Sequence, residues 1–113
     1  MKKIEAIIRP EKLESVRKAL EENGCEGLMI SEIEGHGKQK GVVQQWRGEK
    51  YKIDLMPKIK IEVVVCDNDV EHITKVIIDS AKTGDVGDGK IFIYNIEMAI
   101  RIRTGEKGDK AIT

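Results

Sequence analysis

The order in which the hydrophobic period changes along the chain leaves few folds open. Lys2 to Arg9 sets Ile4, Ala6 and Ile8 against Lys3, Glu5 and Ile7, a period of two that predicts a strand. Pro10 then supplies the fixed φ suited to a first helical turn, and Leu13, Val16 and Leu20 fall at helical spacing until Gly24 stops them. Gly27 to Gly35, with Leu28, Met29, Ile30 and Ile33, predicts a second strand. After a long interruption the progression repeats. Lys58 to Cys66 sets Ile59, Ile61, Val63 and Val65 against Lys58, Lys60, Glu62 and Val64 as a third strand. Asn68 with Glu71 three residues on reads as a capping box, and Val70, Ile73, Ile77 and Ala81 line one helical face to about Lys82. Ile91 to Arg103 then sets Phe92, Tyr94, Ile96, Met98, Ile100 and Ile102 against Asn95, Glu97, Arg101 and Arg103, a long last strand.

Strand, helix, strand, twice over, predicts an α+β, ferredoxin-like βαββαβ fold: a four-stranded antiparallel sheet with two helices on one face. A chain of 113 residues suits one domain, residues 1–113. Two helices cover only one face of such a sheet, and the other keeps Ile7 and Val64 among its charges. A self-assembled oligomer is the expected cover. Thr104 to Thr113, with alternating charge and little to bury, reads as a loop or frayed end.

Charge narrows the function classes. Lys and Arg total 20 and so do Asp and Glu, so the chain lacks the basic surplus that nucleic-acid binding requires. An anion site must therefore be a local cluster. His36 and His72 have no nucleophile arranged beside them, so no catalytic set is expected. Cys25 and Cys66 lack metal-type spacing and read as small buried apolar residues. No apolar run approaches a membrane span, and Met1-Lys2-Lys3 leads straight into a strand, so a cytoplasmic protein is expected.

Three local clusters can meet an anion. Gly35-His36-Gly37-Lys38-Gln39-Lys40-Gly41 combines glycines that let amides approach closely with two lysines. It opens a stretch, Val42 to Met56, that follows neither period and reads as a long loop with Trp46, Arg47, Gly48 and Tyr51 at its middle. A solvated connection is the plain alternative. Thr83-Gly84-Asp85-Val86-Gly87-Asp88-Gly89-Lys90 follows the second helix with three glycines and a terminal lysine, although glycine-rich turns of this kind are a common structural device. Arg101 and Arg103, two apart on the expected strand, should share a face about 7 Å apart and bracket an anion. Two solvated arginines with acidic neighbours are the plainer reading.

Together these motifs resemble, over almost the whole chain, the PII nitrogen-regulatory signal-transduction proteins. The match comprises Gly-x-Gly-Lys-Gln-Lys-Gly at Gly35 to Gly41, Arg47-Gly48 followed by Tyr51, Pro57-Lys58, Thr83-Gly84, Gly87-Asp88-Gly89-Lys90-Ile91-Phe92 and Arg101-Ile102-Arg103-Thr104-Gly105, in order and spacing. The resemblance implies a homotrimer with ATP or ADP in clefts between neighbours and 2-oxoglutarate joining the ATP-bound form with Mg²⁺. It names a T-loop at about 37–55 between strands 2 and 3, a B-loop at about 82–90 and a C-loop at about 101–108. It implies nucleotide contacts at Gly35, Gly37, Lys38, Gln39, Val64, Gly87, Asp88, Gly89, Lys90, Arg101 and Arg103. For 2-oxoglutarate it implies Gly37, Lys38, Gln39, Lys40, Gly41 and Lys58, with Gln39 also holding Mg²⁺.

The implied partner is an ammonium transporter channel, met by Arg47 with Trp46 beside it, which recruits the protein reversibly to the membrane. Regulation of nitrogenase or another nitrogen-metabolism enzyme is the alternative within the family. A small nucleotide-hydrolysing enzyme is the alternative outside it, for which no general base is evident. Tyr51 matches a tyrosine modified in some members, while stiffening the loop by packing is the plainer role for it and for Trp46. Lys38, Met29, Trp46, Glu49 and Lys50 depart from the usual pattern. Lys38 replaces a more usual arginine and turns a bidentate contact into a single point. Met29 stands where a hydroxyl residue near the adenine is common, and Glu49 stands where some members carry a phosphorylated serine.

Overall fold

The computed structural model describes residues 1–35, 42–46, 49–53 and 56–113, with the side chains of 42–46 and 49–53 left out of the description. Its strands and helices run β1 (Lys2–Ile8), α1 (Leu13–Glu22), β2 (Met29–Gly35), β3 (Val42–Trp46), β4 (Glu49–Ile53), β5 (Met56–Val65), α2 (Val70–Ala81) and β6 (Lys90–Asn95). β2, β5, β1 and β6 form, in that order, the four-stranded antiparallel sheet that the hydrophobic periods predict. Ile4, Ala6 and Ile8 of β1 and Ile59, Ile61, Val63 and Val65 of β5 point to one face and are buried. Val16 and Leu20 of α1 and Ile73, Ile77 and Ala81 of α2 close that face. Each large aliphatic side chain so buried contributes roughly 1.5–3 kcal/mol.

The helix ends follow from backbone chemistry. Gly24 takes a φ of 85°, its amide bonding the Glu21 carbonyl at 3.1 Å and that of Cys25 the Leu20 carbonyl at 2.9 Å. This pair of bonds ends α1 in a Schellman motif, where a left-handed residue favours glycine. α2 begins differently from expectation. The Asn68–Glu71 capping box does not form; a 3-10 turn at Asp67–Asp69 leads into the helix without a side-chain cap. Main-chain carbonyls supply the acceptors instead, with the Asp69 amide on Cys66 and that of Val70 on Asp67.

Three further expectations are corrected. The last strand stops at Asn95 rather than running to Arg103, because Asn95 lies opposite Lys2 and the Ile96 amide already bonds the carbonyl of Met1. Beyond that point β1 offers no partner. The chain reverses instead, with Ile100 bridged to Lys107 and Arg101 to Thr104 in a turn, so Arg101 and Arg103 do not stand side by side on a strand. Val42 to Met56 is also not wholly irregular: β3 and β4 pair antiparallel from Val42 opposite Ile53 to Trp46 opposite Glu49. Backbone hydrogen bonds close such a ladder without any one-sided hydrophobic pattern. Finally, Cys25 is buried as expected, whereas Cys66 is only half-buried.

The face of the sheet away from the helices carries Lys3, Glu5 and Ile7 beside Lys60, Glu62 and Val64. Lys3 bonds Glu62 at 3.1 Å and sits 4.6 Å from the centre of the Tyr94 ring, while the Tyr94 hydroxyl donates to Glu5 at 3.0 Å. Phe92, Tyr94 and Met29 are exposed on it.

Candidate functional site

The turn from α2 to β6 is built around one carboxylate. Asp88 accepts the Thr83 hydroxyl at 2.6 Å, the amides of Thr83 and Gly84 at 2.9 Å each, and Arg9 Nε at 3.0 Å. Arg9 also donates through Nη2 to the Val86 carbonyl at 2.9 Å, so the end of β1 clamps both sides of the turn. Glycines at 84, 87 and 89 supply φ values of 96°, 105° and 101°, a region costly to residues with a Cβ. At Gly89 the fit is tighter still, since a Cβ there would lie 1.7 Å from the Ile7 carbonyl oxygen.

The Thr83 hydroxyl, followed by the Gly84 amide and Arg9, holds the Asp88 carboxyl well below the usual aspartate range. A depressed carboxyl stabilises the fold above its unfolded pKa, about 3.9, and that contribution is lost as the pH falls through the folded value. Asp88→Asn is therefore expected to be less stable than the parent at pH 7, with the gap closing below pH ~4. Urea midpoints of both proteins at pH 7, 4 and 3 check this; a gap independent of pH contradicts it.

Lys58 reaches the same turn. Its Nζ donates to the Gly87 carbonyl at 2.6 Å, and burial, then the nearby Arg9 charge, lowers its pKa. Gly35 ends β2 beside it, its Cβ position 3.7 Å from Lys58 Cγ. Lys90 opens β6 opposite Ile7. A cleft of about 370 Å³ adjoins this end, lined by Ile7, Asp88, Gly89 and Lys90 with the apolar faces of Ile77 and Ile91. Gly35, Lys58, Gly87, Asp88, Gly89 and Lys90 are thus gathered at one end of the sheet.

The remaining site residues lie at the other end. Val64 stands opposite Lys3 on β5, about 20 Å along the strand from Lys58 by strand rise. Arg101 and Arg103 follow β6, which carries the chain about 17 Å away from Lys90. A second cleft of about 560 Å³ opens here, lined by Gly27, Met29, Val64 and Cys66 together with residues 111–113. Arg101 is engaged within its own chain, whereas Arg103 is exposed and makes no hydrogen bond or ion pair among the described residues. One chain therefore presents two half-sets of candidate residues, facing away from each other.

Gly37, Lys38, Gln39, Lys40, Gly41 and Arg47, with His36, lie outside the described residues. Trp46 and Tyr51 fall on β3 and β4, Trp46 opposite Glu49 and Tyr51 opposite Gln44. Among the described residues no group of three or more His, Cys, Asp and Glu could hold a metal ion. No helix among them is long and apolar enough to cross a membrane. Arg9 went unmarked in the sequence, since nothing local ties it to Asp88.

Comparison with known proteins finds relatives along almost the whole chain. The chain is 55% identical over 112 residues to nitrogen regulatory protein P-II 2 of Methanothermobacter thermautotrophicus, covering 99% of this chain and 97% of the relative. It is 54% identical to the nitrogen regulatory protein P-II of Rhodospirillum rubrum and 52% identical to that of Haemophilus influenzae, each over 99% of this chain and 100% of the relative. The model of the family described as nitrogen regulatory protein P-II matches residues 1–106, which takes in the sheet, both helices and the Asp88 turn. The chain belongs to the nitrogen regulatory protein P-II family.

Proposed function

We propose that the protein is a non-enzymatic sensor which binds ATP or ADP between neighbouring copies of a homotrimer, adds 2-oxoglutarate to the ATP-bound form, and controls an ammonium transporter channel through the segment around Arg47. The observation that carries this reading is the division of the candidate residues between opposite ends of one sheet. Lys90 and the glycine turn of one copy can meet Val64, Arg101 and Arg103 only if the latter come from a neighbour. The exposed Phe92, Tyr94 and Met29 on the face away from the helices give such neighbours apolar area to bury.

Within the cleft the turn at Gly87 to Lys90 offers main-chain amides and one ammonium to a phosphate chain. The Arg9–Asp88 clamp holds that turn in shape before the ligand arrives, so less ordering accompanies binding. Lys58, near the start of β5, meets a carboxylate of 2-oxoglutarate in this reading. In doing so it exchanges the Gly87 carbonyl for a charged partner. Mg²⁺ supplies the positive charge that lets a dianion sit beside a triphosphate. Drawing amides of Gly37 to Gly41 onto the ligand bends the base of the T-loop, and Arg47 then no longer reaches the channel.

Titration calorimetry with and without Mg²⁺-ATP tests this coupling. 2-Oxoglutarate is expected to bind at least about tenfold more tightly when Mg²⁺-ATP is present, within the usual range of coupling between linked sites. Membranes carrying the channel should retain the protein in ADP and release it when Mg²⁺-ATP and 2-oxoglutarate are added. Equal affinity for 2-oxoglutarate in both conditions, or equal retention, contradicts the reading.

A further inference from the structure

Arg101 is strapped down by Glu106, Lys110 and Thr113 of its own chain. Nη1 donates to Glu106 Oε1 at 3.0 Å, and Nη2 donates to the main-chain oxygens of Lys110 and Thr113 at 2.9 Å each. Glu106 Oε1 is further fixed by the Thr104 hydroxyl at 2.9 Å. A guanidinium grips a phosphate with two parallel donors along one of two edges, Nε with Nη2 or Nη1 with Nη2. Both edges need Nη2, and both of its hydrogens are taken here. The Glu106 carboxylate also cancels the charge that would draw an anion in. Arg103, two residues on, is exposed and carries no such contacts among the described residues.

The turn beneath this strap is held independently of it. The Gly105 amide bonds the Arg101 carbonyl at 2.7 Å, the Arg101 amide bonds Glu106 at 2.8 Å, and the Gly108 amide bonds Ala99 at 2.9 Å. Asp109 to Thr113 carry a 3-10 turn at Gly108–Ala111, the Ile112 amide on Asp109 at 3.2 Å, the Thr113 hydroxyl on Lys110 at 3.5 Å and the packing of residues 111–113 along the second cleft, none of which bonds the turn at Ala99 to Glu106. The strap can therefore lift without undoing the turn. Its last residues also lie beyond the 1–106 covered by the family match.

We propose that Glu106 and the segment Asp109 to Thr113 form an internal competitor for Arg101, standing where nucleotide phosphate must go, so that ATP binds only by displacing them. This rests on the reading of Arg101 as a phosphate-binding residue. The opposite role, a strap that orients Arg101 for phosphate, has the opposite sign in the truncation, in Glu106→Gln and in the exchange at Ile112.

Calorimetric titration of Mg²⁺-ATP into the intact oligomer, a variant lacking Asp109 to Thr113, and Glu106→Gln decides between them. Removing the strap is expected to tighten ATP binding about tenfold, the effect of one or two competing charged hydrogen bonds, and Glu106→Gln about threefold. In an Arg101→Ala background the same truncation should change nothing. Hydrogen exchange of the intact parent gives a readout that needs no truncation: saturating ATP should speed exchange at the Ile112 amide. Unchanged or weaker ATP binding in Glu106→Gln, or slower exchange at Ile112 with ATP bound, overturns the proposal. If the parent binds ATP and the variants match it, the strap alone fails. If none of the three binds ATP, the nucleotide reading and the strap fail together.

Discussion

Gly89→Ala is expected to destabilise the protein by about 3 kcal/mol or more. Two costs combine. A residue with a Cβ is disfavoured at the φ of 101° that Gly89 adopts, by about 1–2 kcal/mol. The added carbon would also lie 1.7 Å from the Ile7 oxygen and 2.8 Å from the Ile7 carbonyl carbon, which are main chain and cannot swing aside. Ile7 is paired with Lys60 on one side and Lys90 on the other, so relief requires breaking the β1–β6 ladder at the glycine-turn end of the sheet. Gly84→Ala provides the control, because its φ is similar at 96° but nothing lies within 4 Å of its Cβ position. It should cost only about 1 kcal/mol. Urea unfolding of both variants checks the difference; equal midpoints would show that close packing against Ile7 contributes nothing.

Arg101→Ala combined with Arg103→Ala should weaken ATP binding at least about 100-fold, since each removes charge-assisted hydrogen bonds worth roughly 1.5–3 kcal/mol. The sheet should survive, because both residues follow β6 and neither is among the buried core. Arg101 does hold Glu106 and the last residues, so local order there will fall while the urea midpoint moves little. A double variant that binds ATP like the parent removes both arginines from the site.

How much of this was legible in the sequence depends on the range over which each feature is determined. The alternation of Ile59, Ile61, Val63 and Val65, and the helical spacing of Ile73 and Ile77, record burial on one face, which every residue reports locally. The four strands and two helices of the main sheet layer followed from them. The end of the last strand did not, because the alternation from Phe92 to Ile102 says which face a side chain takes and not whether a neighbouring strand exists beside it. β3 and β4 escaped notice for the complementary reason: their pairing is a backbone matter with no period to read.

The site shows the same division. The glycines and terminal lysine of the Thr83 to Lys90 turn announced themselves, whereas Arg9, its electrostatic clamp, lies 79 residues from Asp88 and beside nothing unusual. The pairing of Arg101 with Glu106 lies only five residues apart, yet it depends on a reversal that the expected strand concealed. What the motifs could not indicate at all was that their residues stand at opposite ends of one subunit.

That separation is the centre of the account, and subunit mixing tests it most directly. Lys90→Ala damages one half-site of every copy, and the Arg101→Ala, Arg103→Ala double variant damages the other, so each oligomer alone should bind ATP poorly. Unfolded together and refolded as a mixture, they should regain tight sites wherever an intact glycine turn meets an intact arginine pair, with parental affinity at a fraction of the sites. A mixture that binds no better than its two components, or a parent that binds ATP tightly as a monomer, would contradict a site completed between neighbouring copies.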